Sequence, residues 1–149
     1  MLPMISVRQA LGTLLAADTA NLAAATANEV ALISANFTAT ENLTTAELTL
    51  ASGDGADPIV GVSGVQLIGN DPLTLEQVIT IKEPAGGWRW ELTGVPSPAI
   101  TIYGLALTLT AGGALLGVMK LPTPITLTNI GDFYDAGNIQ MRFVAQPIS

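Results

Sequence analysis

Histidine and cysteine are both missing from this 149-residue chain. Without histidine there is no Ser-His-Asp machinery and no imidazole ligand for a metal. Without cysteine there is no disulfide, no thiol nucleophile, no zinc knuckle and no iron–sulfur ligand set. Charge is the next scarcity: 11% of residues are charged, against roughly 25% in an ordinary globular domain. Five Lys or Arg stand against twelve Asp or Glu, a net charge of −7. So few cations argue against a nucleic-acid partner, because phosphate binding is built on Lys and Arg. What the chain has in abundance is apolar side chains, 49% of residues. That excludes disorder, which requires low hydrophobicity and high charge. The length suits one domain with a real core and a short appended arm.

Residues 92–119 carry no charge, and a run of that length can span a bilayer. Its composition reads otherwise. Pro96, Pro98, Gly104, Gly112 and Gly113 interrupt it, and 101–110 partly alternates, with Thr101, Tyr103, Leu105, Leu107 and Leu109 on one side. Ala111-Gly112-Gly113 reads as a turn and 114–121 as the returning strand of a hairpin. The expectation is therefore no membrane span. The N-terminus does not read as a secretory leader either: Arg8 sits inside the apolar stretch and Asp18 breaks its continuation. It reads as an amphipathic helix, with Ser6 as N-cap and Gln9 three residues on. Val7, Leu11, Leu14, Leu15, Asp18 and Leu22 keep helical spacing. The division expected is an N-terminal helix or arm over 1–27 and a β-domain over 28–149.

From residue 29 the texture is that of short strands. They are expected at 29–35, 59–62, 65–68, 73–82, 88–92, 101–110, 114–121, 125–128 and 139–144. The stretch 43–51 is ambiguous: Leu48 and Leu50 suggest extended chain, while 45–48 can form one helical turn. Gly, Pro, Asn and Asp punctuate the rest, most clearly at 52–58, 83–87 and 129–132. Short strands spaced by roughly 10 residues, with turns between them, indicate a mainly β fold, an antiparallel β-sandwich, jelly-roll-like or Ig-like, behind an N-terminal α-helix.

Three groups of residues are candidates for a site. Asp54 and Asp57 lie in a Gly-rich loop whose oxygens can hold Ca²⁺. The loop lacks an EF-hand ligand series, and a solvated loop is the plainer reading. Asp132, after Gly131, reads as a turn residue bonding nearby backbone. Trp88 and Trp90 fall on one face of a strand with Arg89 on the other. They suit a core, a subunit contact, or a stacking platform for sugar. Paired carboxylates can run glycoside chemistry unaided, but twelve acids offer many pairs and none is distinctive. No cofactor, no metal and no catalytic residues are expected.

The second half also resembles a known family. Ile102-Tyr103-Gly104, then 111–116, then Leu121-Pro122-Thr123-Pro124-Ile125-Thr126-Leu127, then Asn129-Ile130-Gly131-Asp132, is similar to small structural proteins of tailed bacteriophages. The first half adds 32–38 and 43–49 to the likeness. The resemblance implies a noncatalytic virion component, a capsid decoration or other head-associated subunit. Its partners would be copies of itself and the major capsid protein or another virion protein. Candidate contact residues are Val7, Leu11, Leu14, Leu15, Trp88 and Trp90. High hydropathy with little charge predicts apolar surface covered by partners, and adhesion insensitive to salt. The alternatives are a tail or fibre module that binds glycan through the Trp pair and the Gly-Asp loop, or a surface-filament subunit that donates its N-terminal segment.

Overall fold

A computed structural model of the chain describes residues 1–3, 28–61, 65–71, 76–81, 83–109 and 115–144. Among these residues the regular structure is ten strands and one short 3₁₀ turn: β1 (Leu2–Pro3), β2 (Asn28–Ile33), the 3₁₀ turn (Thr45–Glu47), β3 (Ile59–Val60), β4 (Val65–Asp71), β5 (Glu76–Ile81), β6 (Arg89–Glu91), β7 (Ile100–Leu109), β8 (Leu115–Leu127), β9 (Phe133–Asp135) and β10 (Gln140–Val144). The fold is mainly β, as the strand-and-turn texture predicts, and its strand pairings are antiparallel. The helix expected after Ser6, with Val7, Leu11, Leu14 and Leu15 on its apolar face, lies outside the described residues. Among the described residues no helix is long and apolar enough to cross a membrane.

Three sheets result. The largest runs β1-β8-β7-β2-β3, the second β10-β5-β4, and β6 and β9 form a two-stranded ribbon. The first residues are stitched into this domain. Leu2 and Pro3 pair with Val118 and Gly117, and the Met1 ammonium donates to the Gln140 carbonyl at 3.1 Å.

β7 sits in the middle of the large sheet, paired with β2 and β8, and apolar side chains cover both of its faces. One face holds Ile102, Leu105 and Leu107 with Val30 and Leu32 from β2, packed with Ile81, Trp88, Trp90, Leu92, Leu127 and Ile139. The other holds Ala106 with Ile33 and Val118, packed with Phe37, Leu115 and the loop leucines Leu43, Leu48 and Leu50. This two-sided burial explains why β7 carries no charge: a strand covered on both faces has no polar side to show.

The side predicted by simple alternation needs correcting. Ile102, not Tyr103, faces the main core with Leu105 and Leu107, while Tyr103 packs toward the second cluster. The reason is a break in register. Ile102 pairs with Ile125, but Gly104 pairs with Lys120. One residue of β7 thus faces four of β8, Leu121 to Pro124. Such an insertion shifts the phase of the side chains. It also leaves Pro122 and Pro124 where no ladder N–H is needed, so they do not end the strand. The separate strand expected at 125–128 is accordingly the far end of β8.

Phe37 closes the gap over Gly104. A Cβ at residue 104 would meet the Phe37 ring and the Met119 carbonyl oxygen. The Lys120 ammonium donates to the Phe37 carbonyl and lies 5.5 Å from the ring centroid. The ambiguous stretch at 43–51 contains the 3₁₀ turn, with the Glu47 carboxylate accepting from the Thr44 N–H and hydroxyl at 2.8 Å each. These bonds hold the Glu47 carboxyl below its ordinary range.

Candidate functional site

The ribbon of β6 and β9 is the part of the fold that gathers the sequence's candidate residues. Arg89 pairs with Asp135, Trp90 with Tyr134 and Glu91 with Phe133. With a period of two, Trp88, Trp90 and Leu92 point inward. The division of Trp and Arg89 onto opposite faces is as predicted, but the role is corrected. Trp88 and Trp90 are 0% and 1% exposed and belong to the chain's own core. As candidate subunit contacts they fail, because an indole surrounded by Leu92, Ile102, Leu127 and Ile139 offers nothing to a neighbour. A sugar-stacking role fails on the same burial. Trp90 stacks on Tyr134 with centroids 6.1 Å apart, and its Nε1–H donates to the Asp57 carbonyl at 3.1 Å. Among the described residues the buried Trp88 Nε1–H has no acceptor. Burial and the neighbouring Asp135 carboxylate push the Tyr134 phenol up from its ordinary value.

Asp54 and Asp57 form a structural turn. Asp57 accepts from the Gly53 N–H at 2.8 Å, and the Ala56 N–H donates to the Gly53 carbonyl at 2.8 Å. The Thr93 N–H donates to the Asp54 carbonyl at 2.9 Å, tying the loop to the strap beyond β6. Gly55 has φ of +91°, and a Cβ there would strike the Glu91 carbonyl oxygen. Gly55 therefore serves close backbone approach to the ribbon, while Gly53, also at positive φ, borders open space. Among the described residues no three acidic side chains converge as a metal would require. Asp132 does what its place after Gly131 predicts. Its Oδ2 accepts from the N–H groups of Thr128 and Asn129, at 2.8 Å each. Those two bonds lower its carboxyl from the ordinary value.

The outward face of the ribbon was not singled out by the sequence. It carries Arg89, Glu91, Phe133 and Asp135. The Arg89 guanidinium lies 3.7 Å from the Phe133 ring centroid and pairs with Glu91 at 3.1 Å. Phe133 remains half exposed. At the end of the ribbon the Gly131 N–H donates to the Leu92 carbonyl and the Leu92 N–H to the Asp132 carbonyl, each at 2.9 Å. These bonds fix the turn bearing Ile130, which is 65% exposed, against Leu92 at the end of β6; Val95, three residues on, is 64% exposed. Ile125, nearby in sequence on β8, is exposed as well. The signal available in the sequence was the apolar Ile130 inside a turn otherwise built of Asn, Gly and Asp, where no core contact calls for it. Compared with protein-family models, with characterised proteins and with solved structures, the chain gives no match.

Proposed function

We propose that the protein is a noncatalytic structural subunit, a capsid-decoration or head-associated component of a virion, that adheres to copies of itself and to other virion proteins through apolar contacts. The observation that carries this reading is the number of large apolar side chains left in water: Val60, Val95, Ile125, Ile130 and Phe133. Large apolar side chains left in water, in a chain with little charge to offset them, favour burial against a partner. Each contact is modest, and repetition around a lattice multiplies it. In this reading the large sheet and the two smaller ones are the layers of a sandwich, since side chains from all three share the main core. The virion setting rests on the sequence resemblance. A glycan-binding module is less well supported: its stacking platform would be Trp88 and Trp90, which are buried, and Arg89 already covers part of the Phe133 ring.

The test is the native mass of the particle that contains the chain, measured by gradient sedimentation and native mass spectrometry. The expected result is a particle many times heavier than the 15.3 kDa monomer, from which the double variant V95D/I130D is lost. A 15.3 kDa species in the native source and at micromolar concentration would overturn the proposal.

A further inference from the structure

The sequence holds one Asp-Gly pair, Asp54-Gly55, and no Asn-Gly. Such a pair is chemically labile, because glycine has no side chain to shield its backbone nitrogen. That nitrogen can attack the carboxyl carbon of the preceding aspartate. A C–N bond forms, water leaves, and the product is a cyclic imide. Water then reopens the ring. Addition at the main-chain carbonyl breaks the original peptide C–N bond and leaves the chain running through the side chain, as isoaspartate. Addition at the side-chain carbonyl restores aspartate. Nothing is oxidised or reduced, and water is the only co-reactant. The attack requires the planar 54–55 peptide to swing as a unit toward the carboxyl group.

In the fold that peptide is pinned at both ends. Its oxygen, the Asp54 carbonyl, accepts from the Thr93 N–H at 2.9 Å. Gly55 sits so close to the ribbon that a Cβ would strike the Glu91 carbonyl oxygen. The Asp54 carboxylate lies against Gly94, filling the place of a Cβ there. The neighbours are held as well. The Gly53 N–H donates to Asp57 Oδ1 at 2.8 Å, Ala56 is fully buried in the main core, and the Trp90 Nε1–H donates to the Asp57 carbonyl at 3.1 Å. Asp54 itself is exposed, so water reaches it. What the docked loop withholds is the rotation.

We propose that Asp54-Gly55 is an isoaspartyl modification site kept unreacted by its docking on the ribbon. Asp54 isomerises from a detached 52–58 loop and not from the docked one, so isoaspartate at 54 marks copies whose loop has opened. The change is one-way for the loop. Isoaspartate adds a methylene to the main chain between the Thr93 bond and the seat of Gly55 against Glu91, and the lengthened chain no longer fits both. Local opening of this kind is a separate equilibrium from global unfolding, and the chemistry proceeds whether or not the chain assembles.

The experiment ages the full chain at mildly acid pH, folded and in concentrated urea. Isoaspartate is read by methyl transfer from an isoaspartyl methyltransferase and located by loss of endoproteinase Asp-N cleavage before residue 54. The folded protein is expected to isomerise at 54 at least about tenfold more slowly than the unfolded chain. Asp57→Ala removes the acceptor of the Gly53 N–H at an exposed position, and Trp90→Phe removes the bond to the Asp57 carbonyl. Each is expected to speed isomerisation at 54 several-fold while tryptophan emission or far-UV circular dichroism shows the protein still folded. Asp135→Ala, which removes a comparable turn bond from the Gly137 N–H, is expected to leave the rate at 54 unchanged. Equal rates in the folded and unfolded chain, parental rates in both loop variants, or equal acceleration by Asp135→Ala would overturn the inference.

Discussion

Trp88 and Trp90 lie two residues apart on one strand face, yet among the described residues one indole finds an acceptor and the other does not. Trp90 reaches the Asp57 carbonyl at 3.1 Å, while the buried Trp88 N–H meets no acceptor among the described residues. A buried donor left unmatched costs about 1–3 kcal/mol. Trp88→Phe removes that cost along with part of the ring, whereas Trp90→Phe removes a satisfied bond and loosens the 52–58 loop. Urea unfolding is expected to show Trp90→Phe as the more destabilising by about 1 kcal/mol or more; the reverse order would contradict the assigned geometry. Asp132 supplies a pH-dependent case. Its folded carboxyl sits below the ordinary 3.8 because Thr128 and Asn129 donate to the charged form. Folding therefore releases protons there. The stabilisation is fully present above 3.8 and is lost as pH falls through the lowered folded value. Asp132→Asn is expected to flatten the acid limb of a stability–pH curve; an unchanged limb would show that Asp132 does not contribute to it. The shared face of the two Trp was legible from a period of two. Their burial was not, since alternation does not distinguish a core face from a contact face.

The hairpin of β7 and β8 shows what can be read of an element. Its two strands and the Gly-rich link between them are expected from the alternation and the turn residues, and the pairing of 100–109 with 115–127 agrees with that reading. The register break could not be expected in the same way, because an insertion of Leu121 to Pro124 is set by what each half of β8 must meet across the sheet. Two prolines in a strand argue for separate strands if the ladder is assumed regular, and the bulge removes that assumption. β9 was missed for a related reason: Phe133 to Asp135 is three residues long and finds its partner in β6, more than forty residues earlier in the chain. Proline placement gives the test. Pro122→Ala is expected to change stability by less than about 1 kcal/mol, since the residue lies in the unpaired insertion. Val118→Pro puts a ring into a paired, fully buried position between Ala106 and Leu2 and is expected to cost at least about 3 kcal/mol. Similar effects from the two variants, read by thermal and urea unfolding, would refute the register.

At the scale of the whole molecule, β2 and β7 contribute to both apolar clusters, with Val30, Leu32, Leu105 and Leu107 on one face and Ile33 and Ala106 on the other. Neither cluster can open without disturbing the strands that line the other. Tryptophan emission, which reports the main core, and far-UV circular dichroism are expected to trace one coincident urea transition. Two separated transitions would show that the clusters are independent. The same architecture accounts for much of the charge deficit. Covering a sheet on both faces uses apolar side chains at successive positions, leaving fewer sites for charge. The sequence by itself determined the class of fold, the turns and the chemistry that is out of reach, because those depend on residue type and on spacings of a few positions. Only the tertiary structure decided which apolar residues are core and which are left outside. Burial depends on segments far apart in the chain meeting, such as the 52–58 loop on the strap after β6 and β9 on β6, and no local spacing encodes those meetings.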